Sequence, residues 1–333
     1  MEIGKKINWG IIGTGRIARA FAEGLPFTGN GRLAAVASRT KERSIAFKNE
    51  WKIEYAFESY EELAKSSKVD AVYIATPHSS HAENAIMCMK QGKAVLSEKP
   101  FAVNSKEVSE MIDVARNENV LLMEGMWSRF PPLMHKLREW LKEGKLGDIR
   151  TLHADFGFLP KNKDPKGRLF NPELAGGSLL DLGIYPISLA SMILGEPTEM
   201  KTLANIGTTQ VDEQAGWIFR YSNGALAMLL SSLECETRQE AFISGTIGNV
   251  RIHKQCWKPQ KMTFSETNGD HTETVEMPFS GNGFNYEAES FGNLLIEGKK
   301  ENPIMPLDES LRIMKQMDQI RKEWNLIYPM DVR

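Results

Sequence analysis

The chain has 333 residues, 41% of them hydrophobic and 25% charged, with a formal net charge of −2, a balance that excludes general disorder. At roughly 150 residues per domain the length predicts two domains, each with its own core, and the near-neutral charge argues against nucleic acid or an anionic membrane as partner. Three scattered cysteines, Cys88, Cys235 and Cys256, exclude a disulfide framework and a cysteine-built metal site, and no metal is expected.

The N-terminal MEIGKKINWGIIG runs into a glycine turn without the apolar stretch of a secretion signal. No window is read as approaching the ~18 apolar residues that cross a bilayer, so a cytoplasmic protein is expected. Ile7 to Ile12 is mostly apolar, Gly13-Thr14-Gly15-Arg16-Ile17-Ala18 follows, and Ile17 to Leu25 is helix-like. That is strand, tight turn, helix. Leu33 to Ser38 is a second short strand, with a polar helix from about Thr40. Ser59 with Glu62 and Asn104 with Glu107 have the spacing of capping boxes. Ala71 to Ala75, Ala94 to Ser97 and Val120 to Glu124 are further strands, and Ala82 to Lys90 is a helix closed by Gly92. Strands separated by helices predict a doubly wound parallel sheet, an α/β Rossmann domain over residues 1–125.

After residue 126 the rhythm changes. Ile149 to Phe158 alternates as a half-buried strand, and Glu213 to Tyr221 and Ala225 to Glu234 flank the hairpin signal Asn223-Gly224. Lys261 to Glu266 and Thr272 to Met277 flank another glycine turn, and Leu307, Leu311, Met314, Met317, Ile320 and Trp324 share one face of a last helix. Residues 126–333 are therefore read as an α+β domain with a mainly antiparallel sheet, whose last helix packs within it or back on the first domain.

Gly13, Gly15 and Ala18 form G-x-G-x-x-A. The first glycine permits the turn, the second admits a pyrophosphate to the backbone, and the helix start at Arg16 and Ile17 faces the phosphates. At the end of the second strand, where an NAD site offers a carboxylate, stand Ser38, Arg39, Thr40 and Lys41, with Arg43 a turn later. A hydroxyl and guanidinium groups suit a 2′-phosphate, which favours NADP over NAD. Thr76-Pro77-His78 and His81 follow the strand at residues 71–75, at the carboxyl edge where open parallel sheets bind ligands, and are candidate cofactor contacts.

Glu98-Lys99-Pro100 closes another strand, and proline keeps Lys99 out of the helical region. On position alone, Lys99 is either an inert surface lysine or a reactive one. Asp181 and Tyr185 are four apart in Gly177 to Pro186, on one face of a helix opening there, as an acid–base pair or as a buried turn. Pro186 fits the first turn of such a helix and breaks an interior. Trp127 and Arg129 in Glu124 to Phe130 line a cleft or pack the domains together.

Taken together, Gly13-x-Gly15-x-x-Ala18, Glu98-Lys99-Pro100, Glu124 to Phe130 and Gly177 to Pro186 resemble the glucose-fructose oxidoreductase, inositol dehydrogenase and MocA family over nearly the whole chain. The E-x-M-W-S-R-F and D-x-G-x-Y-P forms look most like its branch of dimeric dihydrodiol dehydrogenases and NADP-linked sugar dehydrogenases; inositol dehydrogenases carry histidine where Tyr185 stands. The resemblance implies reversible hydride transfer between a nicotinamide and a carbon bearing a hydroxyl, on a sugar, polyol or trans-dihydrodiol. It assigns proton transfer to Tyr185, the substrate oxygen and a stabilising charge to Lys99, and an orienting role to Asp181. It adds Glu98, Trp127 and Arg129 to the cofactor contacts and Asp155 and Arg168 to the substrate lining. It also implies an open sheet in the second domain through which dimers form. A non-catalytic NADP-binding sensor or subunit is the alternative, and retention of Lys99, Asp181 and Tyr185 argues against it.

Overall fold

A computed structural model of the chain describes residues 6–332, so part of the N-terminal reading lies outside the described residues. The chain divides into two compact units, Met1–Phe130 with Ser280–Leu311, and Pro131–Phe279 with Arg312–Arg333. In chain order the first unit holds β1 (Ile7–Ile12), α1 (Arg16–Gly24), β2 (Gly31–Ala37), α2 (Lys41–Trp51), β3 (Tyr55–Phe57), α3 (Tyr60–Lys65), β4 (Ala71–Ile74), α4 (His81–Met89), β5 (Ala94–Glu98), α5 (Ser105–Asn117) and β6 (Leu122–Gly125). Every strand is parallel to its neighbours in the order β3-β2-β1-β4-β5-β6, so the order reverses between β1 and β4. β4, β5 and β6 are buried along their whole length, as expected of strands covered on both faces. Both expected caps form: Ser59 Oγ accepts from the Glu62 N–H at 3.2 Å and Asn104 Oδ1 from the Glu107 N–H at 2.9 Å.

The second unit contains α6 (Pro132–Lys142), β7 (Ile149–Gly157), a π-helical turn (Leu179–Gly183), α7 (Ile184–Leu194), β8 (Glu199–Ile206), β9 (Asp212–Arg220), β10 (Leu226–Ser232), β11 (Ala241–Gly245), β12 (Gly248–Ile252), β13 (Lys261–Glu266) and β14 (Thr272–Glu276). These strands form one eight-stranded sheet, β14-β13-β12-β11-β7-β10-β9-β8, antiparallel except where β7 meets β10. Leu152, Ala154, Trp217, Phe219, Leu229 and Ile243 alternate onto its buried face. On the other face the register lines up Lys201, Ile218, Met228, His153 and Phe242 in one row. Leu203, Ile218 and Phe242 are 82%, 50% and 43% exposed.

Two expectations need correction. Residues 126–333 do not form one body, because Ser280–Leu311 belongs to the first unit. The cause is the apolar face of α8 (Phe284–Ile296): Phe284 stacks on Trp127 at 4.8 Å and Phe291 tilts against Trp9 at 5.1 Å. Helix α9 (Leu307–Glu323) then crosses the division at Leu311. Among the described residues, one helical stretch, Pro172–Leu194, is long and apolar enough to span a bilayer by length and composition. Most of it is buried, and it forms the core of the second unit against the sheet.

Glu287 sits on the same buried face of α8 as Phe284, Ala288 and Phe291, with both carboxyl oxygens lacking a hydrogen-bond partner. Burial, and then the charge of Glu98, push its carboxyl well above the usual range. A carboxyl with a raised folded-state pKa binds its proton more tightly in the native chain, and stability falls as pH rises above its unfolded value. Glu287→Gln, neutral at every pH, is therefore expected to gain thermal stability over the parent progressively from about pH 5 to pH 8. Melting curves across that range check this; a constant difference refutes it.

Candidate active site

At the end of β1, Gly13 has φ +104°, and a Cβ there would stand 2.6 Å from the carbonyl oxygen of Ala75 just beyond β4. Only glycine lets the turn pass so close to the neighbouring strand end. Gly15 is the N-cap of α1 and has open space where a Cβ would be. No side chain caps α1 and its first turn holds no acidic residue. The N–H groups of Arg16 and Ile17 thus open a helix whose positive end has no anion of its own among the described residues, as phosphate binding requires.

Beyond β2, Ser38 is buried while Arg39 and Arg43 are exposed. Burial raises the Tyr60 hydroxyl pKa, and the charges of both arginines act against that rise. Lys41, in contrast, is spent on Glu58 at 2.5 Å. The pattern of a polar strand end with two guanidinium groups is therefore present in three dimensions.

The ends of β4 and β5 are tied together by buried polar groups. His81 sets its ring nitrogens 2.8 Å from the Pro100 carbonyl and 3.0 Å from the Thr76 carbonyl, and Asn84 donates to Thr76 Oγ1 at 3.2 Å. Burial lowers the His81 pKa, while the two carbonyl contacts pull the other way. Glu98 accepts the Tyr73 hydroxyl on one oxygen and the Lys99 N–H at 3.2 Å on the other. Glu124 accepts the Phe101 N–H at 3.2 Å, and its own carboxyl is pushed up by burial to about 7. Three consecutive residues, Lys99, cis-Pro100 and Phe101, thus have their backbone held by three buried side chains.

Several of the expected cofactor contacts also bond within the protein: His81 and Glu98 hold backbone. Arg129 is 2% exposed and pairs with Glu309 at 2.8 Å, and Trp127 is covered by Phe284. Thr76, Pro77, His78 and Lys99 follow the carboxyl ends of β4 and β5, with the Thr76 N–H beside Gly13.

In the second unit, Gly176 and Gly177 allow a tight passage: a Cβ on the first would meet the Leu169 carbonyl at 2.7 Å, and one on the second would collide with Asp212. The π turn follows, its last bond running from the Ile184 N–H to the Leu179 carbonyl. Pro186 is the third residue of α7, but the helix continues unbroken from the π turn, so the proline stands inside a continuous helical run and its missing N–H leaves a carbonyl of the preceding turn without that bond. Asp181, 5% exposed, accepts from Arg168 Nη1 at 2.8 Å. The Tyr185 ring lies 5.6 Å from Phe156, which stacks on Trp257 at 3.7 Å and 8°. Tyr185 is thus bordered by a flat aromatic pair. Asp155 is on the opposite face of β7 from Phe156 and accepts the Gln239 N–H at 2.7 Å, which does not support a place in that lining.

The aromatic pair and the Asp212 contact escaped sequence reading. Alternation along β7 could have singled out Phe156 as inward-facing, but nothing local marks Trp257 as its partner.

The sequence model described as an oxidoreductase family with an NAD-binding Rossmann fold matches residues 7–126, and that of the GFO/IDH/MocA C-terminal domain matches residues 134–251. The chain is 37% identical to trans-1,2-dihydrobenzene-1,2-diol dehydrogenase of Mus musculus, over 98% of this chain and 99% of the relative. Its fold is similar to that of KijD10, a 3-ketoreductase from Actinomadura kijaniata solved with NADP and TDP-benzene, at 27% identity and a TM-score of 0.85 over 96% of this chain and 98% of that one. The aldose-aldose oxidoreductase from Caulobacter crescentus, solved with glycerol, is similar at 26% identity and a TM-score of 0.86, over 96% and 97%.

The arginine pair beyond β2 predicts nucleotide preference. Arg39→Ala is expected to weaken NADPH by roughly ten- to a hundredfold, the equivalent of a lost charge-assisted hydrogen bond, and NADH far less. Equal weakening in titrations of the two nucleotides would overturn the assignment.

Proposed function

The chain belongs to the GFO/IDH/MocA oxidoreductase family, and from that premise we propose that it transfers hydride between NADP and a hydroxyl-bearing carbon of a sugar, polyol or trans-dihydrodiol. The observation that carries the reading is the uncapped start of α1 behind Gly13 and Gly15, with Arg39 and Arg43 exposed beyond β2. Those residues fit a dinucleotide with a 2′-phosphate. When bound, the nicotinamide supplies or accepts the hydride. No observation favours the non-catalytic alternative.

The remaining chemistry falls to side chains. Oxidation of an alcohol requires its hydroxyl proton to leave as the carbon gives up hydride; reduction requires the reverse. Tyr185 is the proposed donor and acceptor of that proton at Oη. Lys99 is proposed to hold the substrate oxygen and, as a cation, to favour tyrosinate; an unperturbed phenol near ~10 must come down by ~3 units, or ~4 kcal/mol, to act near neutrality. Asp181, bridged to Arg168, is proposed to orient a substrate hydroxyl. The Phe156–Trp257 stack beside Tyr185 favours a substrate with a ring face over a short open-chain alcohol. Thr76, Pro77 and His78 are the proposed neighbours of the nicotinamide half.

A homodimer through the outer face of the eight-stranded sheet is part of the proposal. Exposed Leu203, Ile218 and Phe242, set among polar residues on the outer face of a regular sheet, suit a self-complementary two-fold contact. A cytoplasmic setting completes it, supported by the sparse, scattered cysteines.

Two measurements test these readings. With NADPH or NADP and a panel of aldoses, ketoses and diols, the nicotinamide absorbance should change, and Tyr185→Phe should lower kcat by roughly a hundredfold or more; full activity in that variant removes Tyr185 from the chemistry. Ile218→Lys should convert the dimer to monomer in sedimentation, whereas an unchanged mass moves the contact elsewhere.

A further inference from the structure

Asp212 opens β9 and is fully buried, yet it contributes nothing to the hydride chemistry proposed above. Its Oδ2 accepts the Leu179 N–H at 2.6 Å and the Ser178 hydroxyl at 2.8 Å. Ser178 Oγ is in turn 2.8 Å from Ser231 Oγ on β10. Ser178 and Leu179 are the residues that open the π turn carrying Asp181, and that turn runs without a break into the helix carrying Tyr185. The Ser178 side chain does not cap its own helix. The orphan N–H of a helix start is satisfied instead by a carboxylate from a distant strand.

The surroundings are shaped to admit it. Gly177 has φ +113° and leaves vacant the space where a Cβ would strike Asp212 Oδ1. Burial pushes the Asp212 carboxyl up to about 7, against the pull of the Ser178 and Leu179 hydrogen bonds and of the Arg321 charge. Tyr328, whose hydroxyl donates to the Gly176 carbonyl, faces the same carboxyl. A hydroxyl would have capped the turn at less cost than a buried acid.

We infer that Asp212 is a positioning residue for the proposed reaction: acting through Ser178 and Leu179, it fixes the turn that sets Asp181 and Tyr185 in register. The inference rests on the reading of Tyr185 as the proton-transfer residue. A turn released from its anchor shifts by fractions of an ångström to an ångström, enough to cost a reacting geometry up to about a hundredfold.

Asp212→Ala is expected to lower kcat by roughly ten- to a hundredfold per NADPH-binding molecule, with NADPH affinity unchanged because the nucleotide cradle lies in the first unit. Asp212→Asn keeps an oxygen that accepts both bonds and should recover kcat to within about threefold of the parent. Ser178→Ala, which removes one bond, should fall between them, and it decides the matter if Asp212→Ala does not bind NADPH. A merely structural role predicts lower melting temperatures with kcat per NADPH-binding molecule intact in every variant, and that result overturns the inference. Tyr185→Phe measured alongside separates the two failures. If it is inactive while the Asp212 and Ser178 variants are unimpaired, this inference alone falls; if it is fully active, the reading beneath it falls as well.

Discussion

Backbone N–H and C=O groups in irregular, buried chain must find partners, and both candidate reactive segments are built around that requirement. Around Lys99 the partners are Glu98, His81 and Glu124; ahead of Asp181 and Tyr185 the partner is Asp212. The reactive side chains leave strand and helix ends, where no ladder bond exists to hold the chain. Buried side chains from other elements take the place of the ladder. At the start of α1 no side chain caps the helix, which is the arrangement that the proposed dinucleotide phosphate would use.

That arrangement has an energetic signature. Glu124, Glu287 and Asp212 are carboxyls forced up by burial, and each costs stability at neutral pH that an apolar residue would not. Two of the three bond to the backbone of a reactive segment. Glu287 does not; it is felt through its charge interaction with Glu98, which holds the Lys99 N–H. Only at Glu287, whose oxygens bond to nothing among the described residues, would an apolar residue serve stability without leaving a buried N–H unpaired.

Much of this was legible in the sequence, for reasons that differ by element. The Rossmann strands and the G-x-G-x-x-A turn could be read because period, length and glycine chemistry are local. The hairpins could be read because Asn223-Gly224 dictates its own turn. Ser280–Leu311 could not be placed, because α8 is an amphipathic helix whose partners, Trp9 and Trp127, lie far back in the chain. His81 and Arg129 stayed open between ligand contact and packing for a related reason. A polar residue near a strand end looks the same in sequence whether its atoms face a ligand, a carbonyl or a half-buried carboxylate.

The second unit carries this further, because its glycines have meaning only against distant residues. Gly177 answers to Asp212 and Gly183 to Trp217, whose ring would stand 2.8 Å from an added Cβ. A motif such as G-G-x-x-x-D-x-G-x-Y-P is therefore a record of two surfaces pressed together, of which the sequence shows one. The acid and phenol in it attract attention as chemistry, but the glycines between and before them record where the strands behind must lie. Strand β9 supplies both Asp212 and Trp217, so one strand sets the height of the turn at its start and its depth at Gly183. Moving β9 would shift Asp181 and Tyr185 together rather than separately, which is the property a paired orienting and proton-transfer function demands.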